Sequence, residues 1–220
     1  MRTRGIPPRP VRPDTRGMRR LFLLFALVGV LAAPADALAR AGSLAFRDGT
    51  PAEQSQVRAA LNASSFPWEL LPQTIEVHIA RGVDSYATPG HVFLDADLLD
   101  GGRFSWGTVQ HEFGHEVDFL LLDDAKRATL AAALGGRSWY YAGDPGAAHG
   151  DYGCERFAST LAWAYWQSPD NAMKPASARD ESAAMAPAAF RALLAELIGV
   201  HPVAAAPANA KAFAPKRKRK

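Results

Sequence analysis

The chain has 220 residues, 48% of them apolar, enough for one domain with a sizeable core. Its formal charge of +3 resides at the ends: seven of the 25 basic residues precede Arg40 and six lie in KAFAPKRKRK at 211–220. Residues 40–210 carry 12 basic against 20 acidic side chains, a net of −8, which argues against a nucleic-acid or phosphate-binding surface on the folded body.

MRRLFLLFALVGVLAAPADALARA orders two arginines, an apolar run and small residues at Ala35, Ala37 and Ala39. That is the order of a secretory signal, so residues 1–39 are expected to be a signal peptide behind a disordered basic leader. The expected location is therefore outside the cytoplasm, secreted or in the cell envelope. The route is Sec-type or, from the RRLFL core, twin-arginine; an uncleaved membrane anchor is the alternative. Residues 40–201 form the expected folded domain and 202–220 a disordered Ala/Pro and basic tail. The tail at 216–220 suits an anionic polymer or membrane, or is simply solvated. With a single cysteine, Cys154, no internal disulfide can staple the domain. Cys154 itself reads as a small buried apolar residue.

In chain order, Thr50, Pro51 and Glu53 form a helix start with a capping box, followed by the stripe Val57, Ala60 and Leu61. TIEVHIA alternates Ile75, Val77 and Ile79 against Glu76 and His78, a half-buried strand. A second strand is expected over 91–94, then a long helix over 105–122. AKRATLAAAL is a helix stopped by Gly135 and Gly136. GRSWYYAGDPGAAHGDYG is a long loop, CERFASTLAWAYWQS an apolar helix, and a last helix begins near Pro187. Two or three strands beside five helices make an α+β layout.

The helix at 105–122 carries SWGTVQHEFGHEVDFLLL. At about 100° per residue, His111, His115 and Asp118 share one face, with Glu112 beside it and Phe113, Val117, Leu120 and Leu121 opposite. Two imidazoles one turn apart can reach one tetrahedral Zn²⁺, while Glu112 is placed to take a proton from its water. Hydrogen-bonded core histidines are the bland alternative, but burying this set without a partner costs several kcal/mol. Asp118 and Leu121 stand where a metzincin needs glycine and a third histidine, which excludes that class. Asp118 is expected to orient a histidine from behind. The third ligand is sought 40 residues after His115, at Glu155 in CERFA, with His149 and Asp151 as competitors.

ERFA resembles the E-x-F-A segment of gluzincins. HEFGHEVD and ERFASTLAWAY resemble the two site helices of the anthrax-lethal-factor-like zincins, a family that includes the Pro-Pro endopeptidases. The likeness covers about thirty residues, with a looser match in GHVFLD. It implies a zincin-like metallopeptidase domain, a small mostly antiparallel sheet on the active-site helix, and a mainly helical second half. It further implies one zinc ion on His111, His115 and Glu155, with Glu112 as general base. The family's tyrosine seven residues before the glutamate is replaced by Ala148, so the oxyanion donor is sought at Tyr152 or His149, with Tyr140 and Tyr141 behind them. Ser159 stands where the family has an acidic residue.

The function expected is an exported, monomeric zinc endopeptidase acting on peptides or proteins, with GHVFLDAD pairing along an extended substrate. The competing readings are a zinc-dependent amide hydrolase of another class, an inactive zincin-fold binding protein, and a surface-binding protein that works through its basic tail.

Overall fold

A computed structural model describes residues 42–141 and 147–199. The expected leader, signal segment and basic tail lie outside the described residues. The architecture is α+β, with a small mixed sheet and six α-helices among the described residues. Strand β1 (Leu44–Phe46) precedes helix α1 (Pro51–Ala63); β2 (Ile75–Ala80), β3 (Tyr86–Thr88) and β4 (His91–Asp95) follow. Then come the short α2 (Ala96–Leu99), the long α3 (Trp106–Leu121), α4 (Asp124–Leu134), α5 (Gly153–Tyr165) and α6 (Pro187–Ile198).

Local chemistry accounts for most of these boundaries. Thr50 caps α1 reciprocally with Glu53, the Glu53 N–H donating to Thr50 Oγ1 at 3.3 Å and the Thr50 N–H to Glu53 Oε2 at 2.7 Å. Asp123 caps α4 through the Lys126 N–H. Pro187 opens α6, and Gly199 closes it in the left-handed conformation, φ +72°.

The sheet runs in the order β1-β2-β4-β3, with β1, β2 and β4 parallel and only β3 antiparallel. A mostly antiparallel sheet was expected, and the connections explain the difference. Helix α1 carries the chain from β1 over to β2, and a helical crossover delivers a parallel neighbour. After β2 the chain passes to the far edge for β3, then turns back through Pro89 and Gly90, so β4 slots in parallel to β2. Strand β4 is thereby hydrogen-bonded on both sides and cannot accept an extended substrate; the edges of the sheet are β1 and β3, and β3 is the one beside β4.

The inner face of the sheet (Ile75, Val77, Ile79, Val92, Leu94) packs with Trp68, Val57, Leu61, Phe113 and Val117 in one core. Helix α3 lies in the middle of the domain, buried from Val109 to Asp118 between the sheet, α1 and α5. Among the described residues no helix is long and apolar enough to cross a membrane.

Candidate metal centre

The approach of α3 to α5 is set by small residues. A Cβ built on Gly114 would lie 3.0 Å from the Ala158 Cα and 3.2 Å from its Cβ. This contact lets the first turn of α5 project into the space before His111 and His115. Glu155, in that turn, is 4% exposed, and His111 and His115 are 6% and 7% exposed.

Three donor atoms converge there. His111 Nε2 lies 3.1 Å from Glu155 Oε2 and 3.2 Å from His115 Nε2; His115 Nε2 lies 3.3 Å from Glu155 Oε2. Atoms bound at 2.0–2.1 Å to one tetrahedral ion are about 3.3 Å apart, so this set could hold a divalent transition metal without rearrangement. The donor set, two imidazoles and a carboxylate, is a zinc-type set. Burial opposes ionisation of Glu155, but hydrogen bonds from His111, His115 and His149 outweigh it and hold its carboxyl well below the usual range. Burial likewise works against the charge on His115, and the Glu155 carboxylate outweighs it and raises its pKa.

Glu112 reaches the same cleft, its carboxylate within 4.8 Å of the histidine nitrogens. Burial pushes its pKa up against the pull of His111 and His115. One turn further along α3, Glu116 is fully buried. It accepts the Gly90 N–H at 2.9 Å, tying the β3–β4 turn to the helix, and burial raises its pKa to about 7.

Behind these donors lies a carboxylate that the sequence did not reveal. Ser159 Oγ–H donates to Glu181 Oε2 at 3.0 Å, and His111 Nδ1 lies 3.0 Å from the same hydroxyl. With the hydroxyl proton spent on Glu181, Nδ1–H of His111 is the donor to Ser159, which makes Nε2 the nitrogen that would give up its proton to ligate an ion. The other Glu181 oxygen takes His149 Nδ1 at 2.8 Å, while His149 Nε2 lies 3.0 Å from Glu155 Oε2. Held between Glu155 and Glu181, the His149 imidazole has its pKa pushed up to about 10. Ser159 thus relays to a carboxylate from another segment at the position where an acidic residue was missing. Glu181 sits just ahead of α6, where its local pattern reads as an ordinary helix-start acid.

The tyrosine at the site is Tyr141, whose OH donates to Glu155 Oε1 at 2.7 Å. Tyr152, preferred with His149 for the oxyanion, is instead buried outside the residues that line the cleft, its ring 4.2 Å from that of Tyr141. The loop explains the exchange: Gly153 N–H bonds Ser138 O and Cys154 N–H bonds Trp139 O, so the limb bearing Tyr140 and Tyr141 lies over the start of α5. Asp118 does not bond a histidine ring. Its oxygens accept Arg127 Nε at 2.8 Å and Trp139 Nε1 at 2.9 Å, which anchors that limb to α3. Asp151, a competitor for third ligand, caps its own turn through the Ala148 N–H. Cys154 is buried at 2% exposure; burial and the neighbouring Glu155 charge raise its pKa and keep the thiol protonated.

The cleft encloses about 230 Å³, with Tyr86 and Ala87 of β3 on one wall and Phe119, Tyr140 and Tyr141 on the other. A more open depression by Ser43, Glu69 and Gln73 gathers no comparable chemistry. No protein-family model, no curated protein and no solved structure matches the chain.

Proposed function

We propose that the chain is a zinc-dependent metallopeptidase in which His111, His115 and Glu155 hold the ion and Glu112 is the general base. The observation that carries this reading is the convergence of three donor atoms at 3.1–3.3 Å, with a fourth, raised-pKa carboxyl beside them. Bound there, zinc would polarise a scissile carbonyl and lower the pKa of a water toward neutrality. Glu112 accepts the proton of the attacking water and passes it to the leaving nitrogen, a role that its raised pKa suits. Tyr141 O–H and His149 Nε2–H, both turned to Glu155, are the donors that would shift to the developing oxyanion.

A peptide is favoured over a small amide because the free backbone edge of β3 borders the cleft at Tyr86 and Ala87. An extended chain can add to that edge and carry its scissile bond past Glu112. Glu112→Gln should keep the bound zinc yet lower peptide hydrolysis about 10²–10⁴-fold; Glu155→Ala should lose the zinc. Full activity in Glu112→Gln on casein or a peptide library would refute the mechanism. Hydrolysis of peptidoglycan but not of peptides, in both cases abolished by a chelator, would favour an amide hydrolase of another class.

A further inference from the structure

The outer face of the sheet carries a second cluster of imidazole and carboxylate side chains, separate from the HExxH helix. Strand register places Glu76 directly opposite His91, and His78, two residues along β2, projects from the same face. The atoms involved are His78 Nε2, His91 Nδ1 and Glu76 Oε2. They are separated by 3.4 Å (His78 to His91), 3.6 Å (His91 to Glu76) and 3.8 Å (His78 to Glu76). A point equidistant from three atoms so spaced lies about 2.1 Å from each, within the range of Zn–N and Zn–O bonds.

We propose that Glu76, His78 and His91 form a second site, for an exchangeable divalent transition ion of the zinc class. Two imidazoles select Zn²⁺, Cu²⁺ or Ni²⁺ over Ca²⁺ and Mg²⁺, which prefer oxygen. The side chains are held in place before any ion arrives. His78 stacks on Phe93 with centroids 4.6 Å apart and planes 12° apart, and Phe93 stacks in turn on Tyr86 at 4.5 Å. Asp48 Oδ2 lies 3.9 Å from His78 Nδ1, beyond hydrogen-bond reach, and adds a negative charge beside the cluster. Arg47 Nε donates to Glu76 Oε2 at 2.8 Å and its guanidinium holds the Glu76 carboxyl below the usual range, so the carboxylate is ionised. The same guanidinium charge opposes a cation. The site therefore binds more weakly than the buried helical set and stays open to solvent for further ligands. An ion there would staple β2 to β4, two strands paired side by side.

The experiment uses the full-length H111A/H115A protein, with the helical pair removed, titrated with Zn²⁺ alone by isothermal calorimetry. One saturable equivalent is expected, weakened about tenfold or more by His78→Ala or His91→Ala and strengthened by Arg47→Ala. Circular dichroism checks that each variant is folded. Should H111A/H115A fail to fold, the wild-type chain is titrated instead, and H78A should lower its zinc count by one. The absence of any saturable equivalent, or identical titrations in H78A, H91A and their parent, would overturn the proposal. The count does not depend on hydrolysis, so loss of the proposed peptidase activity and loss of this site are separate outcomes.

Discussion

At the scale of single residues, Glu181 is the side chain whose contribution is least apparent from its neighbours in the chain. One carboxylate fixes His149 directly and His111 through Ser159. If His111 is a ligand, the relay sets its tautomer and basicity, and such outer partners typically matter 10–100-fold in metal affinity. Glu181→Gln is therefore expected to weaken zinc binding by about 10–100-fold in a competition titration against a chelator. Ser159→Ala should produce part of that loss, because it breaks the link to His111 and leaves the one to His149. Equal affinity in wild type and Glu181→Gln would show that the relay merely packs. Tyr141 and His149 can be separated by kinetics: Tyr141→Phe retains the ring and removes one donor, so kcat should fall while zinc content holds.

At the scale of elements, the decisive contact is α3 against α5. Gly114 is costly within a helix, about 1 kcal/mol relative to alanine, yet an alanine Cβ would press to 3.0 Å on the Ala158 backbone. A valine adds two methyl groups with nowhere to go, so the helices must part. Gly114→Val is expected to destabilise the fold by about 1–3 kcal/mol in urea denaturation and to weaken zinc binding as Glu155 withdraws. Gly114→Ala should be close to neutral in stability, propensity gain offsetting the clash, while still loosening the metal. If Gly114→Val kept full zinc affinity, the spacing of these helices would not govern the site. The same scale accounts for Glu116, whose buried carboxylate ties the β3–β4 turn to α3 and so keeps the free edge of β3 beside the cleft.

Across the whole molecule, the candidate centre is built into a core that exists without it. The inner sheet face, α1, α3, α5 and α6 share one apolar cluster, from Trp68 and Ile75 through Phe113 to Phe157 and Phe190. Removing the metal should consequently soften the domain without unfolding it, unlike small zinc domains that fold only around their ion. An ion present at about a hundred times its Kd contributes about 2.7 kcal/mol, and 1 kcal/mol moves Tm by about 2–4 °C at this chain length. Calorimetry with and without EDTA should show Tm falling by roughly 5–10 °C, with most of that fall absent in Glu155→Ala. A chelator effect of equal size in Glu155→Ala would place the stabilising ion elsewhere.

What the chain determines by itself is local. The capping box at Thr50 and Glu53, the alternation along β2, the opening of α6 at Pro187 and the i, i+4 histidines of α3 are readable because each depends on interactions within a few residues. The parallel order of the sheet, the free edge on β3 rather than β4, and the loop limb that presents Tyr141 and withdraws Tyr152 depend on how distant segments pack. The same holds for Asp118, which turned out to anchor Trp139 and Arg127, and for Glu181, brought to Ser159 across more than twenty residues. A single helix can fix the spacing of two imidazoles along its own axis. Only the close packing of a second helix against it, made feasible by Gly114 and Ala158, brings a carboxylate to 3.1–3.3 Å from them.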